Sequence, residues 1–345
     1  MPMKRLTIPA LIAGLLLGMV LIASAGAREV GLAVASVGWG ALLIVLVRAV
    51  VVTLAGIGWF VIFPSGTRPS LAACLLLRWV REGANTLLPL TQVGGEFIGA
   101  RCLTFFGVGG ALSGASVIVD VMMQAATQFM FTLTGLMVLI ALGGDEAVIR
   151  FVAIGLALAA PALIGFYIAQ RRAGHHLLRT ALTRMAGARQ WLAFGAVDAL
   201  YDSLRLLYAR RSGLVGSAVI HLGSWFLAAL EVWIALAFMG HPVSYAEALV
   251  IESLTQAVRG AAFAVPGALG VQEGGLIALC AIFGVPAQSA LALSLVKRVA
   301  DVAIGAPGLL AWQVLESRRA LRGGDRAATG PLAQPTVDAP SSTLR

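Results

Sequence analysis

Two short segments carry the densest polar chemistry in this chain. One holds Pro89, Gln92, Gly94, Gly95 and Glu96; the other holds Pro266, Gly267, Gly270, Gln272 and Glu273. A proline ends a helix, and glycines accept backbone angles closed to other residues. A carboxylate seven residues after the proline falls where helix resumes. There it complements the positive end of the new helix, and it is able to hold a cation or a proton. Before each segment, polar side chains share one helical face: Arg78, Arg81, Glu82 and Asn85 at i, i+3, i+4, i+7, then Glu252, Gln256 and Arg259 at i, i+4, i+7. After each segment comes a second stripe, Asp120 with Gln124 and Gln128, and Lys297 with Asp301. Such groups suit binding a charged ligand or passing a proton. They equally suit pairing with one another to hold helices together.

The surroundings of these residues are apolar. Of 345 residues, 59% are hydrophobic and 12% charged, with a mean hydropathy of +0.91. Soluble domains are ~25% charged and ~45–50% apolar. Long apolar runs also exclude a disordered chain and an outer-membrane barrel, whose strands alternate. The expected fold class is therefore an all-α polytopic membrane protein. A charge at the centre of a lone helix costs ~2.5–3.5 kcal/mol on insertion scales, so such groups pair or line a wet cavity. For the repeated residues, cavity lining is the favoured reading. Isolated Arg48 and Arg150 fit snorkelling or structural pairing, and Glu231 and His221 fit either role. Trp39, Trp59 and Trp79 fit interfaces or packing.

The elements that must position these groups follow from hydropathy. Spans are expected at about 6–26, 37–63, 111–142, 147–169, 214–239 and 287–315, with interrupted stretches at 70–106 and 244–283. The first span also resembles a secretory signal, but with so many spans following, an uncleaved helix is expected. Eight arginines against two acids lie between Arg171 and Arg211, and further basic residues stand at Lys4, Arg5, Arg318, Arg319 and Arg322. Positive charge is retained in the cytoplasm. With the N-terminus inside, all three zones fall inside and the acidic turn at Asp145 and Glu146 falls outside. That holds if each interrupted stretch enters and leaves on one side, as a re-entrant hairpin or a pair of spans. Within the amphipathic segment 171–213, Val197, Leu200, Tyr201, Leu204, Leu207 and Tyr208 recur at helical spacing. They predict a helix lying on the cytoplasmic surface or packed on the protein's own inner loops. Residues 1–322 form the membrane domain, and the Gly/Pro/Thr/Ser-rich 323–345 reads as a disordered tail.

The interrupted stretches are copies. At a fixed offset of 177 residues, Gly83-Ala84 matches Gly260-Ala261, Pro89 matches Pro266, Glu96 matches Glu273, and Phe106-Gly107-Val108 matches Phe283-Gly284-Val285. Ala115, Val119 and Ala126 match Ala292, Val296 and Ala303, and Asp120 falls on Lys297. The repeat elements are 70–142 and 247–316. Three spans lie between the copies, so they enter from opposite faces, an inverted-topology repeat of the kind on which transporters are built.

Other chemistry finds little support. The chain has no phosphate-loop motif, zinc-protease motif or nucleophile elbow. Cys74, Cys102 and Cys280 are scattered in apolar runs and read as packing residues. No cofactor and no metal are expected, and the basic balance reads as topology, not nucleic-acid binding.

Arg81, Glu82, Asn85, Pro89, Gln92, Gly94, Gly95 and Glu96, with Pro266, Gly267, Gly270, Gln272, Glu273 and Gly274, resemble the motifs of the flippase-like family. This family comprises the membrane region of lysylphosphatidylglycerol synthases and its stand-alone relatives. The resemblance covers about 5–320 and is nearest to the hopanoid-biosynthesis-associated branch of Gram-negative bacteria. It implies a lipid-translocating module of about six spans and two re-entrant hairpins in a bacterial inner membrane, with cytoplasmic termini. The implied substrate is a hopanoid, hopanoid-linked, anionic or aminoacylated lipid, and the implied partners are other hopanoid- or lipid-biosynthesis proteins. Arg81 and Arg259 would engage the headgroup, with Glu96 and Glu273 as proton-carrying or cation-pairing groups. The synthases add a soluble aminoacyl-transfer domain; with only a short tail after Arg322, lysyl transfer is not expected. Two rivals stay open: a membrane-embedded lipid-modifying enzyme using Glu96 and Glu273 as acid and base, and a scaffold acting through the arginine-rich face.

Overall fold

The computed structural model describes residues 27–88, 94–185, 190–262, 265 and 268–328. Among these residues there are twelve α-helices and no strand: α1 Ala27–Val37, α2 Gly40–Val61, α3 Leu71–Leu87, α4 Gly94–Leu103, α5 Gly110–Ala141, α6 Glu146–Ala169, α7 Arg172–Met185, α8 Gln190–Ala209, α9 Arg211–Phe238, α10 Tyr245–Ala261, α11 Val271–Ile282 and α12 Ala287–Ala328. Four of them, α2, α5, α6 and α9, are long and apolar enough to cross a membrane. They coincide with four of the six expected spans. The expected span 6–26 lies outside the described residues, as does 329–345. The expected span 287–315 is the first part of the 42-residue α12, whose N-terminal half carries Lys297, Arg298 and Asp301. That helix continues to Ala328, into the segment whose composition reads as a tail.

Local chemistry sets the ends. Ser70 caps α3 by accepting from the Ala73 amide at 3.2 Å. Ser244 and Glu247 form a reciprocal capping box at the start of α10, with bonds of 3.2 and 2.6 Å. The acidic turn between α5 and α6 has a structural role: Asp145 accepts from the amides of Ala147 and Val148 at 2.8 and 3.1 Å. Such caps satisfy donors that a helix start would otherwise leave bare.

The repeat is realised helix for helix. The starts of α4 and α11, Gly94 and Val271, and of α5 and α12, Gly110 and Ala287, each differ by 177. The turn before α5 and its copy before α12 both use a left-handed glycine, Gly107 at φ 84° and Gly284 at φ 70°. Packing repeats as well: α3 folds onto α4 as α10 folds onto α11, α3 crosses α12 as α10 crosses α5, and α2 lies against α9. Each hairpin therefore leans on the span that follows the other hairpin. At ~1.5 Å per residue the second arms, α4 and α11, reach only ~15 and ~18 Å, well short of a ~30 Å hydrocarbon core.

Small residues allow the crossings. A Cβ on Gly83 would fall inside contact distance of the Gly305 carbonyl, and one on Gly308 would meet the Trp79 carbonyl, so α3 and α12 touch backbone to backbone. Gly135 of α5 faces Ser253 of α10 in the corresponding helix pair. Small residues are a common means of close approach in membranes, where no hydrophobic force drives helices together. On α8, Tyr201, Leu204, Leu207 and Tyr208 are buried in a core with Trp59, Phe63, Ala115 and Val117. The amphipathic segment is thus packed on the protein itself by that face. Cys74, Cys102 and Cys280 are buried and free.

Candidate functional site

Most of the intramembrane charges are spent on one another. In the first repeat, Arg81 of α3 is fully buried and pairs with Glu96 of α4 and with Asp120 of α5, the latter at 2.7 Å. Its guanidinium also lies over the Trp59 ring, 4.8 Å from the centroid. Asp120 is engaged through both oxygens: one accepts from Arg81 and from Gln124 at 2.9 Å, the other faces His221 Nε2 at 3.1 Å. Asn85 reinforces the hairpin, donating to Glu96 at 3.1 Å and accepting from the Gly95 amide at 2.7 Å. Gly95 and Gly99 lie against Arg81 so closely that neither has room for a Cβ. These glycines bring α4 onto α3.

The second repeat reverses the polarity. Lys297 of α12, the counterpart of Asp120, is held by Glu252 of α10 at 2.7 Å and Glu231 of α9 at 3.1 Å. Arg48 of α2 shares Glu231 at 2.8 Å and approaches Asp301 at 3.6 Å. Glu273 binds Arg298 of α12 at 2.7 Å, accepts from Ser294 at 2.9 Å, and caps its own helix through the Gly270 amide at 2.7 Å. Gln272 donates to Ser294 at 3.1 Å. Near this hairpin tip Ala268 is held at φ 49° with its side chain fully buried, a conformation that strains a residue with a Cβ.

Between the two repeats lies a cavity of about 210 Å³, against the ~10–15 Å³ that holds one water. The C-terminal halves of α3 and α10 converge on it with Arg78, Glu82, Asn85 and Thr86 from one and Gln256, Arg259 and Gly260 from the other. Arg48, Gln124, Gln128, His221, Ser224, Trp225, Arg298 and Asp301 complete the polar wall. Four arginines and two carboxylates line it, but Arg48 and Arg298 are paired with Glu231 and Glu273 just behind the wall. Arg78 is partly committed to Glu82 at 3.2 Å. Arg259 makes no ion pair among the described residues, although it lies in the last turn of α10.

The expected residues thus divide. Arg78, Glu82, Asn85, Gln256, Arg259 and Asp301 meet at the cavity. Arg81, Glu96, Asp120, Glu252, Glu273 and Lys297 form the ion pairs behind it, and Gly94, Gly95, Gly270 and Gln272 belong to hairpin packing. Pro89, Gln92, Pro266 and Gly267 lie outside the described residues. Arg81, expected at the headgroup, is instead locked between two carboxylates, and neither Glu96 nor Glu273 lines the cavity. Arg298 escaped the sequence reading because its repeat counterpart is Val121. Its position three residues before Asp301 was the available signal. Arg48 and His221 come to the wall from α2 and α9, outside both copies, and only packing brings them there.

A family model, the transmembrane region of lysylphosphatidylglycerol synthase, matches residues 10–308. The chain belongs to that family. Comparison with curated proteins and with solved structures finds no match.

Proposed function

We propose that this multi-pass member of the lysylphosphatidylglycerol synthase transmembrane family moves a lipid between leaflets by admitting its headgroup to the cavity between the two hairpins. The observation that carries this reading is the arginine-bearing polar wall between apolar helices, on which Arg259 makes no ion pair among the described residues. A phosphate-bearing headgroup offers the acceptors that guanidinium groups match best. The acyl chains would stay in the bilayer. The ion pairs behind the cavity hold the hairpins in register, and the wall, not the pairs, meets the cargo. Glu273 acts by positioning Arg298.

The finer cargo is a hopanoid-linked or other anionic lipid. Support for a hopanoid is the sequence resemblance; the chemistry of the wall suits an anionic headgroup and not an uncharged ring system. We place the protein in a bacterial inner membrane with both termini and the arginine-rich segment 171–211 cytoplasmic, where that segment is open to other lipid-biosynthesis proteins.

The test is transbilayer movement of a fluorescent phosphatidylglycerol in proteoliposomes, read by quenching of outer-leaflet dye. Wild type should accelerate it over protein-free vesicles, and faster than phosphatidylcholine. Arg259→Gln should lower the rate about 10- to 150-fold, the effect of losing one charge-assisted hydrogen bond of ~1.5–3 kcal/mol. Equal rates for the variant and wild type would refute the assignment of the cavity.

A further inference from the structure

Two arginines outside the cavity share one acceptor. Arg68, in the turn between α2 and α3, donates through Nε and Nη2 to the Phe63 carbonyl at 3.3 and 3.2 Å. Arg210, the residue before α9, donates through Nη1 to the same oxygen. Each is fixed a second time. The Arg68 guanidinium lies over the Phe60 ring, 4.8 Å from its centroid. Arg210 lies along Gly213, where a Cβ would come within 3.1 Å of its Cδ. Two positive side chains from distant parts of the chain are thus held side by side.

Their charge is not balanced locally. Neither arginine makes an ion pair among the described residues. The two acids of α8, the helix that leads into Arg210, are engaged elsewhere: Asp198 with His175 at 2.7 Å and Asp202 with Arg205 at 3.0 Å. Capping the end of α2 accounts for part of the arrangement, since a helix C-terminus carries ~0.5 negative charge. Two full positive charges exceed that. Arg68 Nη1 and Arg210 Nε and Nη2 make no hydrogen bond among the described residues, although a guanidinium donates through all three nitrogens. Both side chains are only half-buried, and Arg211 beside them is exposed.

Depth in the membrane points to the ligand. α2 ends at Val61 and α9 begins at Arg211, and both helices are long and apolar enough to cross a membrane. The pair therefore stands where two spans leave hydrocarbon, at the level of lipid phosphates. Arginine forks match phosphate oxygens, and basic residues at that level favour anionic lipids. We propose that Arg68 and Arg210 hold the phosphate of an anionic phospholipid that is not cargo, a fixed lipid tying the α2–α3 turn to the start of α9. Neither arginine lines the cavity, so this lipid is bound whatever the cavity admits.

Ser65, exposed in the same turn, is the place for a local reporter. Cys74, Cys102 and Cys280 are buried, so a fluorophore directed to Ser65→Cys marks that position in the full chain. The labelled protein is reconstituted in phosphatidylcholine vesicles containing a little phosphatidylglycerol or phosphatidylcholine with a quenching spin label near the top of one acyl chain. Spin-labelled phosphatidylglycerol should compete for the site about 30-fold better than its phosphatidylcholine counterpart, a factor of about 5 from each arginine. Arg68→Gln and Arg210→Gln should each lower that preference about fivefold, and the double variant should abolish it. Arg205→Gln, which removes an exposed arginine of α8, and Arg259→Gln in the cavity should leave it unchanged. Equal quenching by the two lipids in otherwise wild-type protein overturns the inference without any arginine variant. An equal loss in Arg205→Gln overturns it in favour of diffuse surface charge, and a loss in Arg259→Gln in favour of a lipid in the cavity. Relief of the quenching by millimolar inorganic phosphate would make a free anion, not a lipid, the occupant.

Discussion

Replacing Lys297 by methionine is the sharpest test of the buried ion pairs. Lys297 is 1% exposed and Glu231 and Glu252 are fully buried, at 3.1 and 2.7 Å. Without the ammonium, Glu231 keeps Arg48 at 2.8 Å, but Glu252 keeps only the Gln256 amide at 2.8 Å. A surface pair contributes ~0–1 kcal/mol; an uncompensated charge in the interior costs about 3–5 kcal/mol. Burial puts Lys297 in the second regime. The buried thiol of Cys280 on α11 supplies the assay, because a maleimide reaches it only when the structure opens. With reclosing fast relative to labelling, each ~1.4 kcal/mol raises the labelling rate tenfold. Lys297→Met should therefore label roughly 150- to 4,000-fold faster. Adding Glu252→Gln removes the stranded charge and should recover most of that loss. A single variant labelling within about threefold of wild type, or a double variant no slower than the single, would refute the reasoning.

Other predictions concern packing, topology and the surface. Gly83→Ala should destabilise the protein by about 1–3 kcal/mol, because its Cβ meets the backbone of α12 and neither helix can yield. Gly155→Ala on α6, with open space around it, should be neutral or slightly stabilising, and the same labelling assay ranks both. A cysteine at Asp145 should react with an impermeant maleimide from outside the membrane, and one at Arg179 only after permeabilisation; the reverse pattern would invert the topology. Arg101→Ala breaks an exposed pair with Glu316 at 2.9 Å and should leave the labelling rate unchanged, since solvent already screens both ends.

The helical hairpins were legible because they rest on local features: a proline, glycines, a carboxylate and a repeated offset. Four of the expected spans are helices in the structure for the same reason, since hydropathy is a property of each segment alone. The packing of α8 was half legible. Its apolar face was visible at Tyr201, Leu204 and Tyr208, but whether that face met lipid headgroups or the protein depended on α2 and α5.

The charged residues show the boundary between the two kinds of information. Sequence alone determined that Arg81, Asp120, Glu252 and Lys297 stand inside a membrane protein and must be paired or wet, because charge in hydrocarbon has no third option. It also determined that Asp120 and Lys297 are equivalent. Tertiary structure decided which groups pair and which stay open. Arg81 and Arg259 look alike along the chain, yet α4 and α5 close two carboxylates around the first, and no carboxylate among the described residues reaches the second. A side chain's freedom to meet a ligand depends on what the other helices bring within ~4 Å of it, and spacing along one helix carries no record of that.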